Sequence, residues 1–375
     1  MRKSAAAQAQ EHRIAKEPEW MAAYRESNLA VFTEKPLRKS KYTSITRLEE
    51  IIAGNSGAVQ PAPKIVHGKP TVLSIAEALY EIPELLRSIL AAEEKPKDQF
   101  EGYINSHFNS GFVIVAGKEA GDITLRIEAP EGVCSKRFII IEEGAECCII
   151  EELAGHGTTL CSETVYLGKG AKATIARLHL GKGDSMAYQQ CIAEEGASLV
   201  NSNAWLSGNL VRGNTANILN GPGASAMEYS ALIGSGSQHF DINYSSIHRT
   251  QATDSHCIFK SAMKDSSSSV FDGMIRIQEG ADKSNALLEC HSIILGGEAS
   301  SNQIPGLEIK TDDVKATHSA TVSRIEEEEL FYIQSRGIIR EDAEKMVLRS
   351  FLESAVSMLP QKARERLVQE IELRT

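Results

Sequence analysis

The chain has 375 residues, 42% of them hydrophobic and 24% charged, enough to bury a substantial core and to divide into two or three domains. A formal net charge of -10, with no clustering of Lys and Arg, excludes a general nucleic-acid binder. No stretch approaches the ~18–20 uninterrupted apolar residues of a membrane span, and the first residues lack the apolar core of a secretory signal, so a soluble cytoplasmic protein is expected, with neither nucleic acid nor membrane as partner.

Residues 1 to about 17 read as a frayed, disordered lead-in. Pro18 then opens a short amphipathic helix with Trp20, Tyr24 and Val31 on one face. A polar connector from Glu34 to Lys41, containing Pro36, ends it, and a Gly/Pro-rich loop runs from Gly54 to Lys64. Ser74 and Glu77 have capping-box spacing ahead of Ile75, Leu79 and Ile82, and Pro83 opens a further helical run through Leu85, Leu86, Ile89 and Leu90. Residues 1–100 are therefore expected to form a mostly helical N-terminal region, closed by a charged linker over Glu93 to Asp98.

After Phe100 the texture changes to short β-branched runs punctuated by glycine. A Gly-Ala pair recurs at Gly144-Ala145, Gly170-Ala171, Gly196-Ala197, Gly223-Ala224 and Gly280-Ala281, with gaps of 26, 26, 27 and 57. The last gap is close to two periods, one unit lacking its glycine near Thr250 to Thr253. A repeat of this length that holds strands and turns but no helix-length apolar stripe predicts a β-solenoid. Hexapeptide coils would give multiples of six, and helical repeats lack their frames here. The expectation is a mainly β protein: a right-handed parallel β-helix over residues 101–322, handed as parallel connections usually are, with α-helical parts at both ends. Each glycine is expected to make a corner and each alanine to pack in the narrow interior.

The repeat stops near Val322. Ser323 and Glu326 again have capping-box spacing, the acidic run Glu326 to Glu329 suits a helix N-terminus, and Gly337 suits a C-terminal cap. A second helix carries Val347, Phe351, Leu352, Ala355, Met358 and Leu359 on one stripe, and Pro360 opens a last one with Ala363, Leu367 and Ile371 aligned. Residues 323–375 thus form a C-terminal helical region that can cap the open edge of the solenoid or present a face to a partner.

The seven cysteines, Cys134, Cys147, Cys148, Cys161, Cys191, Cys257 and Cys290, contain no Cys-x-x-Cys and are expected to be free thiols, mostly small buried hydrophobes. Cys290 differs because His318 follows it by 28 residues, one or two more than the repeat. Residues one period apart lie on adjacent coils at ~4.8 Å. A thiol and an imidazole stacked on the last coils form a candidate site for a soft metal, if the extra residues fall in a loop between them; a slip of one residue turns His318 to the opposite face. A buried core thiol and a satisfied histidine fit the same pattern. Among other classes, β-helices often host carbohydrate-active enzymes, but Asp312-Asp313 is the one tempting acidic pair, and neighbours on a strand point to opposite faces. The phosphate-loop pattern Gly-x-x-x-x-Gly-Lys-[Ser/Thr] is absent from the sequence, so no nucleotide is expected on this chain.

The stretch Lys310 to Ile338, with Lys-Thr-Asp-Asp-Val-Lys-Ala-Thr-His-Ser-Ala-Thr-Val-Ser-Arg-Ile-Glu-Glu-Glu-Glu-Leu-Phe-Tyr-Ile-Gln-Ser-Arg-Gly-Ile, closely resembles the signature of the SufB/SufD proteins of the SUF iron–sulfur cluster assembly system. Lys260 to Gly296, which holds Phe271-Asp-Gly-Met-Ile-Arg-Ile and Cys290, and the Pro18-Glu-Trp start share the resemblance. It implies a non-enzymatic scaffold built on a β-helix that pairs with a like subunit through its end, docks the SufC-type ABC ATPase on its C-terminal helices, and receives sulfur from a donor protein. It also implies a transient iron–sulfur cluster, with Cys290 where SufB proteins carry the cysteine implicated in assembly and His318 where SufD proteins carry an interface histidine. Departures are visible: Ala316 stands in place of a SufD cysteine, Ser319 in place of a SufB glutamate, and the N-terminal SufB cysteine motif is missing. Residues 205–256 look more like SufD. A homodimer or a heterodimer with a paralogue, and a SufD-like structural partner that binds no cluster, all fit this mixture.

Overall fold

The computed structural model describes residues 14, 17–34 and 41–375. The lead-in expected over residues 1–17 and the connector around Pro36 lie largely outside the described residues. The N-terminal region comprises α1 (Glu19–Glu34), α2 (Ile45–Ala53), β1 (Lys64–His67), β2 (Thr71–Ser74), α3 (Ile75–Glu81), α4 (Pro83–Ala92) and α5 (Gln99–His107). Ser74 and Glu77 form the expected capping box and Pro83 opens α4. In α1 the buried row is Met21, Arg25, Asn28 and Phe32, with Trp20 and Tyr24 flanking it, because Arg25 turns inward to hydrogen-bond the carbonyls of Ser106 and Phe108. Helix α5, buried along its whole length, lies across the expected boundary at residue 100 and has no counterpart in the sequence reading. Its buried Gln99, Glu101, Asn105 and His107 blur the apolar stripe that would have revealed it.

From Ser110 the chain winds as a parallel β-helix. One sheet holds β3 (Ser110–Ala116), β5 (Val133–Ile141), β7 (Thr159–Leu167), β9 (Ser185–Ala193), β11 (Leu210–Leu219), β13 (His239–His248), β15 (Ser268–Ile277) and β17 (Ser300–Ile309). The facing sheet holds β4 (Ile123–Ala129), β6 (Glu146–Gly155), β8 (Lys172–His179), β10 (Ser198–Trp205), β12 (Ser225–Gly234), β14 (Asp254–Met263), β16 (Asn285–Ile294) and β18 (Lys315–Arg324). Two strands per coil make about eight coils. The Gly-Ala pairs sit at the corners: Gly144, Gly170, Gly196, Gly223 and Gly280 have φ between +63° and +80°, and Ala145, Ala171, Ala197, Ala224 and Ala281 are at most 1% exposed. Where the glycine is missing, Ala252 itself takes φ +57°. The period is not constant. Glu146 sits beside Lys172, 26 residues on, whereas Asp254 sits beside Asn285, 31 on, and Asn285 beside Lys315, 30 on.

The N-terminal helices cover the outer face of the first sheet, where Met21, Leu86, Ile89 and Ile104 pack against Phe138, Ile140 and Ile192. Buried ion pairs fix this layer: Glu93 to Lys136 at 2.7 Å and Asp98 to Arg212 at 2.6 Å. At the other end of the chain, α6 (Glu327–Gln334) has three glutamates in its first turn as expected, but its N-cap is Glu326 with no side-chain cap, because Ser323 still belongs to β18. Helices α7 (Arg340–Val356) and α8 (Gln361–Glu372) bury Leu348, Leu352, Ala363, Leu367 and Ile371 on the outer face of the second sheet against Ala176, Ala204 and Ala231. Met358, expected on the buried stripe, is 68% exposed. Packing on the sheet face means that α7 and α8 do not close the solenoid edge.

The two ends of the solenoid therefore differ. At the first coil β1 and β2 pair antiparallel with β4 and β3 and seal both edges. At the last coil β17 and β18 are the terminal strands of their sheets, and Ile304, Leu307, Ile309 and Val322 are 38–46% exposed. Between them the interior changes character: Ile114, Ile139, Ile149 and Ile175 fill the early coils, and Phe259 stacks on Phe271 at 4.2 Å in the late ones. The same early coils hold a fully buried ion cluster in which Arg177 meets Glu151 at 2.9 Å and Glu163 at 2.6 Å. Removing one member leaves an uncompensated charge in a dry core, so Arg177→Met is expected to lower unfolding free energy by about 3–5 kcal/mol in a urea titration; a loss within the ~0.5 kcal/mol typical of surface changes would show that the cluster is solvated.

Among the described residues no helix is long and apolar enough to cross a membrane.

Candidate functional site

Strand β16 alternates inward and outward, which places Ala286, Leu288, Cys290 and Ser292 toward the interior and Leu287, Glu289 and His291 outward. Register with β18 sets Cys290 beside Ala320 and His318 beside Leu288. The local period is 30 residues, so a separation of 28 leaves the imidazole two positions short of the thiol. An offset of two preserves the face. Cys290 and His318 thus lie on the same side of the sheet, on neighbouring strands, on a diagonal of about 8 Å between Cα atoms from the ~4.8 Å strand spacing and ~3.3 Å rise. They are diagonal neighbours, not a stacked pair.

Their environments are opposite. Cys290 is 0% exposed, and its thiol donates to the Ser319 carbonyl at 3.3 Å. Burial pushes that thiol up to about 12, since desolvation penalises the thiolate. His318 is exposed on the last strand. Cys257, on β14, faces inward in the same row as Leu288 and His318, and burial, with Glu228 and the nearby Cys290 adding to it, pushes its thiol up. Glu228 precedes it in that row. By type alone Cys257 is an ordinary core thiol; its 33-residue spacing from Cys290 hides the relation, because the period there has grown to 31.

Hydroxyls line the interior beside the site. Ser261 and Ser292 meet at 2.5 Å, Ser292 and Ser301 at 2.8 Å, and Ser269 donates to Ser301 at 2.9 Å, while Gln303 Nε2 donates to Ser292. Outside, His256 Nε2 pairs with Glu289 at 3.0 Å and His291 Nδ1 meets the Thr321 hydroxyl at 2.8 Å. Among the described residues no group of three or more His, Cys, Asp or Glu side chains is placed to hold a metal ion. Of the potential ligands that the sequence marks, one chain offers two, Cys290 and His318. All seven cysteines are free.

A family model described as SUF system FeS cluster assembly, SufBD core domain, matches residues 125–351. This chain belongs to the SufB/SufD family. That family serves iron–sulfur cluster assembly, and the matched region runs from β4 into α7. The chain is 26% identical over 302 residues to the iron-sulfur cluster assembly protein SufB of Bacillus subtilis, covering 76% of this chain and 64% of SufB. With SufD of the same organism it shares 36% identity over 166 residues, 44% of this chain and 38% of SufD. An iron-sulfur cluster assembly SufBD family protein of Staphylococcus epidermidis is 29% identical over 305 residues, 76% of this chain and 64% of that protein. The chain thus spans less than two thirds of the length of these relatives.

The buried Cys290 thiol has a measurable signature. Raising a thiol from its usual ~8.5 to about 12 cuts the thiolate fraction at pH 8 by roughly two-thousandfold, and the higher nucleophilicity of the more basic sulfur recovers part of it, leaving a rate about 40- to 100-fold below that of an open cysteine. Iodoacetamide should therefore label Cys290 that much more slowly in the folded than in the denatured chain, with a rate that still climbs above pH 9; equal rates would place the thiol in solvent.

Proposed function

We propose that this chain is a non-enzymatic scaffold of cytoplasmic iron–sulfur cluster assembly, pairing through the open end of its β-helix and holding a nascent cluster on Cys290 and His318. The observation that carries this reading is the unsealed last coil. Strands with unpaired backbone groups and exposed Ile304, Ile309 and Val322 are completed by a second solenoid laid against them. An isologous pair would bring two thiols and two imidazoles to one seam, four ligands of the kind that suit an iron–sulfur centre, where each chain supplies two. The cluster is cargo on this reading. Taking it up requires Cys290 to exchange its hydrogen bond to Ser319 for iron and to lose its proton.

The same reading gives the C-terminal helices to a SufC-type ABC ATPase. In and beside α6 and α7, Phe331, Tyr332, Ile339 and Met346 are 50–73% exposed, apolar surface of the sort that marks a docking face. ATP would be hydrolysed there, in the partner, and sulfur would arrive from a separate donor protein. A second reading has one observation in its favour: a Cys290 that is 0% exposed and protonated at neutral pH suits a SufD-like structural partner that binds no cluster.

Anaerobic reconstitution of the purified chain with iron and sulfide separates the two. The scaffold reading expects visible charge-transfer absorption and bound iron in a dimer by light scattering, with most of the absorption lost in Cys290→Ser and a smaller loss in His318→Ala. A chain that takes up no iron, or a Cys290→Ser variant with unchanged absorption, supports the structural-partner reading.

A further inference from the structure

A second feature of the solenoid lies far from the open end, at a corner of the early coils. The corners after β6 and β8 carry Gly155, Gly157, Gly181 and Gly183, where the backbones approach so closely that a Cβ on Gly183 would sit 2.2 Å from the Gly157 carbonyl oxygen. With no side chains to fill it, this corner opens as a small cleft of about 80 Å³ lined from both sheets. Its walls include Ile127, Leu153 and Val211. Its inner end is polar, with Arg137, Cys161 and Ser135, while His179 lies in the same row as Ile127 and Leu153.

Two observations at that inner end point to a ligand. Cys161 is the cysteine that keeps partial exposure while the other six are buried, and its sulfur lies within hydrogen-bonding reach of Ser135 and of the Arg137 guanidinium. Arg137 is 5% exposed, yet its Nε has no hydrogen-bond partner among the described residues, and its closest carboxylate, Glu163, stands off at 3.4 Å. A buried guanidinium donor left open at the end of an apolar slot is a costly arrangement unless something fills it. Two guanidiniums, Arg137 and Arg177, face two carboxyls, Glu163 and Glu151, and burial together with the neighbouring Glu163 holds the Glu151 carboxyl above the usual carboxylate range, which weakens the negative side of the cluster. His179, stacked on Trp205 at 3.7 Å and bonded to Asn203, is pushed down to about 3 by burial and stays neutral.

We propose that this corner cleft binds a small organic monoanion, a short carboxylate whose charged end meets Arg137 beside Cys161 and whose apolar end lies against Ile127, Leu153 and Val211. The chemistry matches: apolar wall residues, one charged donor, and further polar lining from Gln60, Thr159, Ser185 and Ser207. Cys161 takes no chemical part. Its thiol is raised by burial, with Arg137 opposing and Glu163 reinforcing the shift, and it serves as a reporter placed beside the anion site. The proposal is independent of cluster binding, since the cleft is lined from β4, β5, β6, β7, β8, β9 and β11 and the corners between them, not from the last coils.

The test uses the unmodified full chain and a pair of reagents of one size. Iodoacetate carries a carboxylate and iodoacetamide does not, and mass spectrometry of the Cys161 peptide gives the rate for each. The expected result is a higher iodoacetate-to-iodoacetamide ratio at Cys161 in the folded chain than in the denatured chain, and protection by butyrate that grows as 1 + [butyrate]/Kd, about threefold at twice Kd, beyond that of chloride at equal ionic strength. Cys290 serves as the internal control and should show no butyrate dependence. The proposal is overturned if neither reagent reaches Cys161 in the folded chain, or if butyrate protects no better than chloride. Arg137→Lys, which keeps the charge and loses Nε, should reduce the selectivity; should that variant fail to fold, the wild-type competition decides alone.

Discussion

Everything in this molecule depends on a ladder that is sealed at one end and open at the other. A parallel β-helix satisfies its backbone groups by handing each coil's hydrogen bonds to the next, which works indefinitely along the axis and fails at the two termini. Here β1 and β2 close the first coil with antiparallel pairs. The last coil has no such closure from the helices that follow it, because α7 and α8 are committed to the face of the second sheet by their Leu352, Leu367 and Ile371 stripe. The edge is partly blunted: Pro305 removes one backbone donor from β17, and Lys310 and Lys315 flank the final turn. Blunting of this kind suits an edge meant for one partner and not for indefinite stacking.

The same ladder positions the chemistry. A coil of 26 residues early in the solenoid and of 30 at its end means that sequence distance converts to spatial distance differently along the chain. That drift moves His318 from above Cys290 to a diagonal position while leaving both on one side of the sheet. It also brings Cys257 beside them in the core. The thiol that the family resemblance singles out is the most protected part of the arrangement and the imidazole the most exposed. Any metal chemistry at this end must therefore begin at the surface and draw the buried sulfur into play.

Much of the fold was legible in the sequence because its information is periodic. The corner glycines need φ near +65°, the alanines after them need a narrow interior, and both needs recur once per coil, so the Gly-Ala pairs mark the repeat and the fold class. Where a corner tolerates another residue, the signal drops out; Ala252 and Lys283 adopt left-handed φ without glycine, and the late coils lengthen mostly in their strands, ten residues each in β14 to β18 against eight or nine in β7 to β10. Helix α5 was illegible for a different reason. It is buried on all sides and pays for its polar residues with tertiary partners, Glu101 with Gln190 and Asp98 with Arg212 and Tyr188, which no local pattern encodes. The candidate site shows the same division: the residues Cys290 and His318 were visible by type, their offset was not, and the cleft at Arg137 and Cys161 arises from strands and corners that the sequence keeps far apart.

The central claim is that the open end is a pairing surface, and amide hydrogen exchange measured from dilute to concentrated solution tests it most directly. The account predicts that peptides covering Lys315–Arg324 in β18 gain protection as concentration rises, together with Cys290-bearing β16 beneath it, while β1 and β2 at the sealed end stay unchanged. Exchange in β18 that remains fast and independent of concentration, in a chain that stays monomeric throughout, would contradict it.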